Sequence, residues 1–329
     1  MKKLLALLLA ALLFFTSCQK SLNDQSAGDD DIKAISQRNC ASHEVLLQQL
    51  KDDPSLQQRM DAIEAFTRDF QKNPDAYRLL NNGIMEVPVV VNVLYRTAAE
   101  NISLEQIQSQ IDVLNEDFAA RNDDYNNTPS VFQSVRSGNT DIRFVLENVI
   151  RKQTNKRSWP INDGMKKSQQ GGIDPTSPET TLNIWVCNLG QNLLGYAQFP
   201  GGNPQTDGIV VLYSAFGSRE KYPAGTYISD YDLGRTATHE VGHYFNLRHI
   251  WGDATCGNDF VDDTPLHTTY NFGCPPFPAN SNCGGVVHPM MTMNYLDYTD
   301  DACMFMFTAG QKTRMQATYA IGGPRETLR

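Results

Sequence analysis

Histidine is scarce in this chain, six residues among 329. Positive charge is scarce as well: 28 lysines and arginines face 37 aspartates and glutamates, for a formal net charge of -9. With no basic stripe interleaved with aromatics, the electrostatic footprint of a nucleic-acid binder is missing, and nucleic acid is not an expected partner. Internal repeats are absent, which sets aside stacked-repeat architectures. Long apolar runs are nearly so. The conspicuous one, Leu4 to Phe15, falls short of the roughly 20 residues that a bilayer-spanning helix requires. What remains is ordinary: 40% hydrophobic and 20% charged residues, which argues for a folded chain over a disordered one. The length suits one sizeable domain with an additional segment.

The apolar run is preceded by Lys2 and Lys3 and followed by small residues before Cys18. This is the layout of an export signal over residues 1–17. It has the form of a bacterial lipoprotein signal, in which the sulfur of Cys18 is acylated and the lipid supplies membrane affinity. A plain secretory signal with an incidental cysteine competes, because Phe15 stands where leucine is usual. Residues 18–83 then read as an acidic tether ("DQSAGDDD") and a helical stretch punctuated by Pro54 and Pro74. From residue 84 the character changes. "MEVPVVVNVLY" predicts a buried strand, and "SLEQIQSQIDVLNEDF" an amphipathic helix with Ser103 and Gln106 as a capping box. "DIRFVLENV", "LNIWVC" and "GIVVLY" predict further strands, and a helix follows from about residue 233. The order predicts a mixed α/β (α+β) domain over 84–329 with an irregular, cysteine-containing tail.

Three of the six histidines fall in "HEVGHYFNLRH". His239 and His243 are four apart, so a helix stacks them on one face, where two neutral imidazoles can converge on one metal ion. Glu240 is rotated from them by about 100°. That suits a general base toward a metal-associated water better than a ligand, the division of labour in H-E-x-x-H. A catalytic zinc needs a third ligand. His249 lies six residues beyond His243, so the chain must leave the helix and turn back; Asn246 tolerates the left-handed backbone that this requires. A rival third ligand is a downstream carboxylate, Asp262 or Asp263.

This spacing resembles the metzincin metallopeptidases. "HEVGH…LRHIWGD" with "NYLDYTDDACMFMFT" is similar, within them, to the pappalysin/cytophagalysin family, and the likeness covers most of the chain. Two positions depart from it: Asn246 replaces a glycine, and Leu296 replaces the methionine that forms a hydrophobic floor under the zinc. The resemblance implies a twisted sheet and an active-site helix above a cleft. It implies a disulfide-pinned lower part closed by a helix near "TAGQKTRMQATYA", and substrate paired to the strand near "LGYAQF". It implies Tyr298 as a donor to the oxyanion, and hydrolysis of peptide bonds in proteins or peptides with zinc as cofactor and Glu240 as base.

Seven cysteines in an exported chain suggest disulfides, and Cys256, Cys274, Cys283 and Cys303 permit three pairings; the resemblance implies Cys256–Cys283 and Cys274–Cys303. It also implies a propeptide cysteine that keeps the precursor latent, for which Cys40 is the candidate. A thiolate is a strong zinc ligand. The alternative is a Cys40–Cys187 disulfide, although Cys187 in "LNIWVC" reads as a buried free thiol. Asp259, Asp262, Asp263 and Thr264 offer hard oxygens for a structural calcium, without EF-hand spacing. Asp301 is a candidate wall of the pocket just beyond the scissile bond, where it would pair with a basic side chain. His43, His267 and His288 have no constellation around them and read as surface or loop residues. The opposing functional reading is a binding lipoprotein that kept the scaffold and lost activity; another is a zinc hydrolase of non-peptide amides.

Overall fold

The computed structural model describes residues 35–77 and 83–328. The expected export signal, Cys18 and the expected acidic tether lie outside the described residues. β1 (Met85–Tyr95) follows from the β-branched run: Val87, Val89, Val91 and Val93 are fully buried on one face, and Val90 and Leu94 nearly so on the other. A strand apolar on both faces belongs in the middle of a sheet. β2 (Ile142–Gln153), β3 (Leu182–Cys187), β4 (Gly195–Ala197) and β5 (Ile209–Leu212) complete it in the order β2-β1-β3-β5-β4. All pairings are parallel except β4 with β5. β2 alternates as predicted only as far as Val145, since a register shift against β1 occurs at Val89/Val90 and β2 is an edge strand. The short β4 forms the other edge.

α3 (Leu104–Phe118) packs Ile107, Ile111, Leu114 and Phe118 into the main core. Its cap differs from the expected box. Ser103 accepts from the Gln106 amide N–H at 3.1 Å, but the Gln106 side chain turns inward and donates to Phe216 O and Thr226 O. A buried amide with three backbone partners bridges the helix to the 213–226 loop, which outweighs a surface cap. α4 (Arg235–Tyr244) contacts α3, β4 and β5. The tail is less irregular than expected. β6 (Asn280–Cys283) and β7 (Val286–Pro289) form a hairpin turned by Gly284 and Gly285, both with positive φ. The predicted closing helix is α5 (Ala309–Tyr319), started by a Thr308/Gln311 capping box.

The N-terminal segment folds into the same compact unit as the sheet. α1 (Ser42–Asp52) and α2 (Ser55–Lys72) pack Leu46, Leu56 and Met60 around Phe199, and Phe70 against Ala317 of α5 and Ala320 just past its end. Among the described residues no helix is long and apolar enough to cross a membrane. One ion pair fixes α2: the Arg314 guanidinium, 1% exposed at its side chain, pairs bidentately with Glu64, and its Nε donates to Asn246 O at 2.7 Å. Removing Glu64 strands a buried cation. Glu64→Ala is therefore expected to cost the precursor about 3–5 kcal/mol of stability, read as a lower urea midpoint. An unchanged midpoint would show that the pair does not seat the segment.

Candidate active site

α4 is anchored through its first turn. Arg235 at its start reaches Asp117 of α3 at 2.7 Å and the Tyr295 hydroxyl at 2.7 Å, and Thr238 donates to Asp117 at 2.7 Å. All ten helix residues are buried. The helix ends at Tyr244, and Asn246 adopts φ +68°, the left-handed turn expected of it. That turn carries His249 back to the two helix histidines. The rival ligands are elsewhere: Asp263 caps α5, accepting from Thr308 Oγ1 and Gly310 N.

The three Nε2 atoms converge, His243 to His239 at 3.2 Å and His243 to His249 at 3.1 Å. Each Nδ1 has its own acceptor: Tyr295 O, Leu247 O and Asp253 Oδ1 respectively for His239, His243 and His249. An acceptor at Nδ1 places the proton there and leaves the Nε2 lone pair free for a metal. Burial lowers His239 and His243 well below the usual histidine range, which keeps them neutral. In a tetrahedral zinc site with Zn–N near 2.0–2.1 Å, neighbouring nitrogens lie about 3.3 Å apart. The donor set and its spacing fit zinc.

Beneath the ligands runs the 294–298 turn. Tyr295 O holds His239, and Leu296, fully buried, sits under the helix where a Cβ at Gly242 would meet it at 3.1 Å. Leucine fills the floor expected of methionine. Tyr298 packs its ring edge-on to His249 and Trp251, at centroid distances of 5.0 and 4.7 Å. Above the ligands lies β4. A Cβ at Gly195 would fall 2.8 Å from Glu240 Oε1 and 2.9 Å from Val210 O, so glycine there lets the sheet edge pass directly over the carboxylate. Burial raises Glu240 to about 8, against the hydrogen bonds that it accepts.

The residues that fill the cleft come from the N-terminal segment. Cys40 Sγ joins the three histidines in a buried group whose ligand atoms lie within 4.8 Å of one another. Cys40 and Cys187 are both free, so the disulfide alternative is excluded. The segment runs parallel to β4, with Leu194 N donating to Asn39 O and Ala41 N to Gly195 O. Ser42 Oγ donates to Glu240 Oε2 at 3.0 Å and accepts from Ala197 N at 2.8 Å. Tyr298 Oη donates to Cys40 O at 3.0 Å. Arg38, 2% exposed, donates to Asp301 Oδ1 at 2.5 Å, Thr299 O at 3.0 Å and Thr236 Oγ1 at 3.1 Å, with its guanidinium over the Tyr231 ring. Asp301 is fully buried, its Oδ2 fixed by Leu233 N and Arg235 N. Ser42 and Arg38 were missed from the sequence. Arg38 and Cys40 lie two apart on the stretch that pairs with β4, and Ser42 opens α1 directly after it.

Other expectations are redistributed. The disulfides are Cys256–Cys283 and Cys274–Cys303. Thr264 donates to Asp259, Asp263 serves as a cap and Asp262 is exposed; among the described residues these carboxylates form no ligand cluster. Burial pushes Asp259 up to about 7. Of the three remaining histidines, expected on the surface or in loops, His267 does lie in a loop, while His43 is in α1 and His288 in β7, and each has a partner. His267 is fully buried and accepts from Met291 N, His288 bonds Leu266 O, and His43 contacts Asp253 at 3.3 Å.

Comparisons with known proteins agree with this geometry. The sequence profile of the family described as Pregnancy-associated plasma protein-A matches residues 193–320. An extracellular metalloprotease of Verticillium alfalfae is 32% identical over 248 residues, 71% of this chain and 78% of that protein. One from Arthroderma benhamiae is 33% identical over 243 residues, 69% of this chain and 71% of that protein. Among solved structures, Tannerella forsythia mature mirolysin in complex with a cleaved peptide is 45% identical at a TM-score of 0.70, covering 74% of this chain and 95% of that one. A promirolysin mutant from the same organism is 41% identical at a TM-score of 0.77, covering 88% and 97%. The chain belongs to the pappalysin family of metzincins and is a metalloendopeptidase.

Proposed function

We propose that this chain is exported as a latent zinc endopeptidase, that residues 18–83 are its propeptide, and that the mature enzyme cleaves proteins or peptides before a basic residue. The observation that carries this reading is Cys40 Sγ buried within 4.8 Å of three converging histidine nitrogens. A segment that supplies a ligand and blocks the site belongs to a precursor. The relatives' names, extracellular metalloprotease and promirolysin, support export and a proenzyme form. Cys18, if acylated, would tether the precursor to a membrane.

Bound by His239, His243 and His249, zinc would supply Lewis acidity that favours ionisation of the attacking water and polarises the scissile carbonyl. The chain's own groups do the rest. Once the segment leaves, Glu240 loses Ser42 and Cys40, and its carboxylate, beside Gly195 of β4, would take the water's proton and pass it to the leaving amine. Tyr298 already donates to a peptide carbonyl, that of Cys40; the same phenol is placed to donate to the substrate oxyanion. The β4 edge vacated by residues 39–41 offers Leu194 N, Gly195 O and Ala197 N for backbone pairing with an extended substrate.

The seat of Arg38 supports the basic preference. It combines a buried carboxylate, a backbone carbonyl, a hydroxyl and an aromatic face, the set that a guanidinium satisfies best. Asp301→Asn keeps an acceptor for Leu233 N and Arg235 N but removes the charge. Cleavage before arginine is then expected to fall about 10²–10³-fold in kcat/KM while cleavage before aliphatic residues stays close to that of the parent. Equal losses for both substrate types would place Asp301 in the scaffold and not in the pocket.

A further inference from the structure

We infer that Asp253 is a positioning residue for the metal ligand His249, an inference that rests on the zinc reading above. The backbone goes to unusual lengths to bring it there. After His249 the chain closes a turn, Gly252 N donating to His249 O at 2.8 Å. Gly252 and Asp253 both take positive φ, +61° and +56°. No other residue fits at Gly252, where a Cβ would lie 2.4 Å from Asn258 N. Left-handed geometry at an aspartate is strained unless the surroundings over-determine it. Its result is that Asp253 folds back over the ring four residues earlier, and Oδ1 accepts from His249 Nδ1 at 2.5 Å.

The three ligands are unequal in this respect. His239 and His243 give their Nδ1 protons to backbone carbonyls. His249 alone has an anionic side chain as acceptor. It is also the ligand that lies off the helix, on the turn that follows α4. Two contacts compensate: the Trp251 ring stacks on it at 4.3 Å with an interplanar angle of 8°, setting the ring plane, and Asp253 sets its rotation in that plane. A carboxylate on the distal nitrogen both orients a ligand and makes its other nitrogen a better donor. The second oxygen, Oδ2, faces His43 of the N-terminal segment at 3.3 Å. The same carboxylate thus serves the metal site and the closed segment.

The test uses the full precursor, carrying Glu240→Gln in every variant to prevent self-processing. Zinc affinity is measured by competition with a chelating indicator, beside the melting temperature of the metal-free protein. Asp253→Ala is expected to weaken zinc binding by about 100-fold and Asp253→Asn by about tenfold, the range for such outer contacts, in a metal-free protein that still melts as a folded chain. The cobalt(II)-substituted Asp253→Asn protein is expected to show a shifted visible spectrum. Parental zinc affinity in a folded variant overturns the inference; should Asp253→Ala fold poorly, the isosteric Asn variant decides. Failure of the parent to bind one zinc per chain defeats the zinc reading itself, a separate outcome.

Discussion

Glu240→Ala is expected to leave the fold and the zinc ligands in place and to reduce peptide cleavage by about 10²–10⁴-fold, the span attributed to a positioned general base. Glu240 is 1% exposed and, among the described residues, hydrogen-bonds to Ser42 Oγ and Cys40 Sγ of the N-terminal segment, so its removal deletes no hydrogen bond within the 83–328 body. The space freed lies beside Gly195, and the shortened side chain relieves crowding there. Mass spectrometry of the purified chain provides the reading: the parent loses its N-terminal segment on standing, and the variant keeps it. A variant that still shed the segment at the parental rate, free of contaminating proteases, would take the base role away from Glu240. A parent as silent as the variant, after trimming and with zinc added, would favour the binding-lipoprotein reading.

Cys40→Ala is the second large effect. Four groups of the segment occupy four parts of the cleft: Arg38 in the Asp301 pocket, the 39–41 backbone on β4, Cys40 at the metal site and Ser42 on Glu240. Cys40 alone competes for the metal. In the protein by itself, burial and then the nearby Glu240 raise its thiol well above the usual range, while a bound dication reverses that preference and draws the thiolate in. Losing that bond is expected to speed conversion of the precursor at least about tenfold, equivalent to ~1.4 kcal/mol of latching. The other three contacts persist, so the unconverted variant is expected to stay less active than a chain lacking the segment. The time course of intact mass gives the answer. An unchanged conversion rate in the Ala variant would assign latency to Arg38 and β4 pairing and remove the thiol from the mechanism.

Much of the zinc site was legible because its residues are close in sequence and their roles follow from helical rotation. His239, His243 and Glu240 needed only the 3.6-residue period, and His249 needed a turn for which Asn246 was the one suitable residue. β1 announced its central position through valines on both faces. What stayed hidden depends on contacts across the chain. Gln106 fits a capping box by spacing, and only the 213–226 loop shows why it turns inward. Ser42 lies 198 residues from Glu240 and Arg38 lies 263 from Asp301, separations at which no local pattern reports a partner. His267 looked solitary because its donor, Met291 N, is a backbone group. Asp253 was visible in "HIWGD" but had no stated role until the left-handed backbone at Gly252 and Asp253 placed its carboxylate against His249. Asp301 was anticipated as a partner for a basic side chain; that the chain's own Arg38 would be found there was not.

The most direct measurement is the cleavage specificity of the chain beginning at Gln19, incubated with zinc and a mixed peptide library and read by mass spectrometry. A zinc endopeptidase that frees itself from its own segment should lose that N-terminal segment by cleavage before a basic residue. New fragment N-termini should be predominantly arginine or lysine, and the Glu240→Ala chain should produce neither change. New N-termini without any shared residue, or fragments produced equally by both chains, would contradict this assignment of base and pocket.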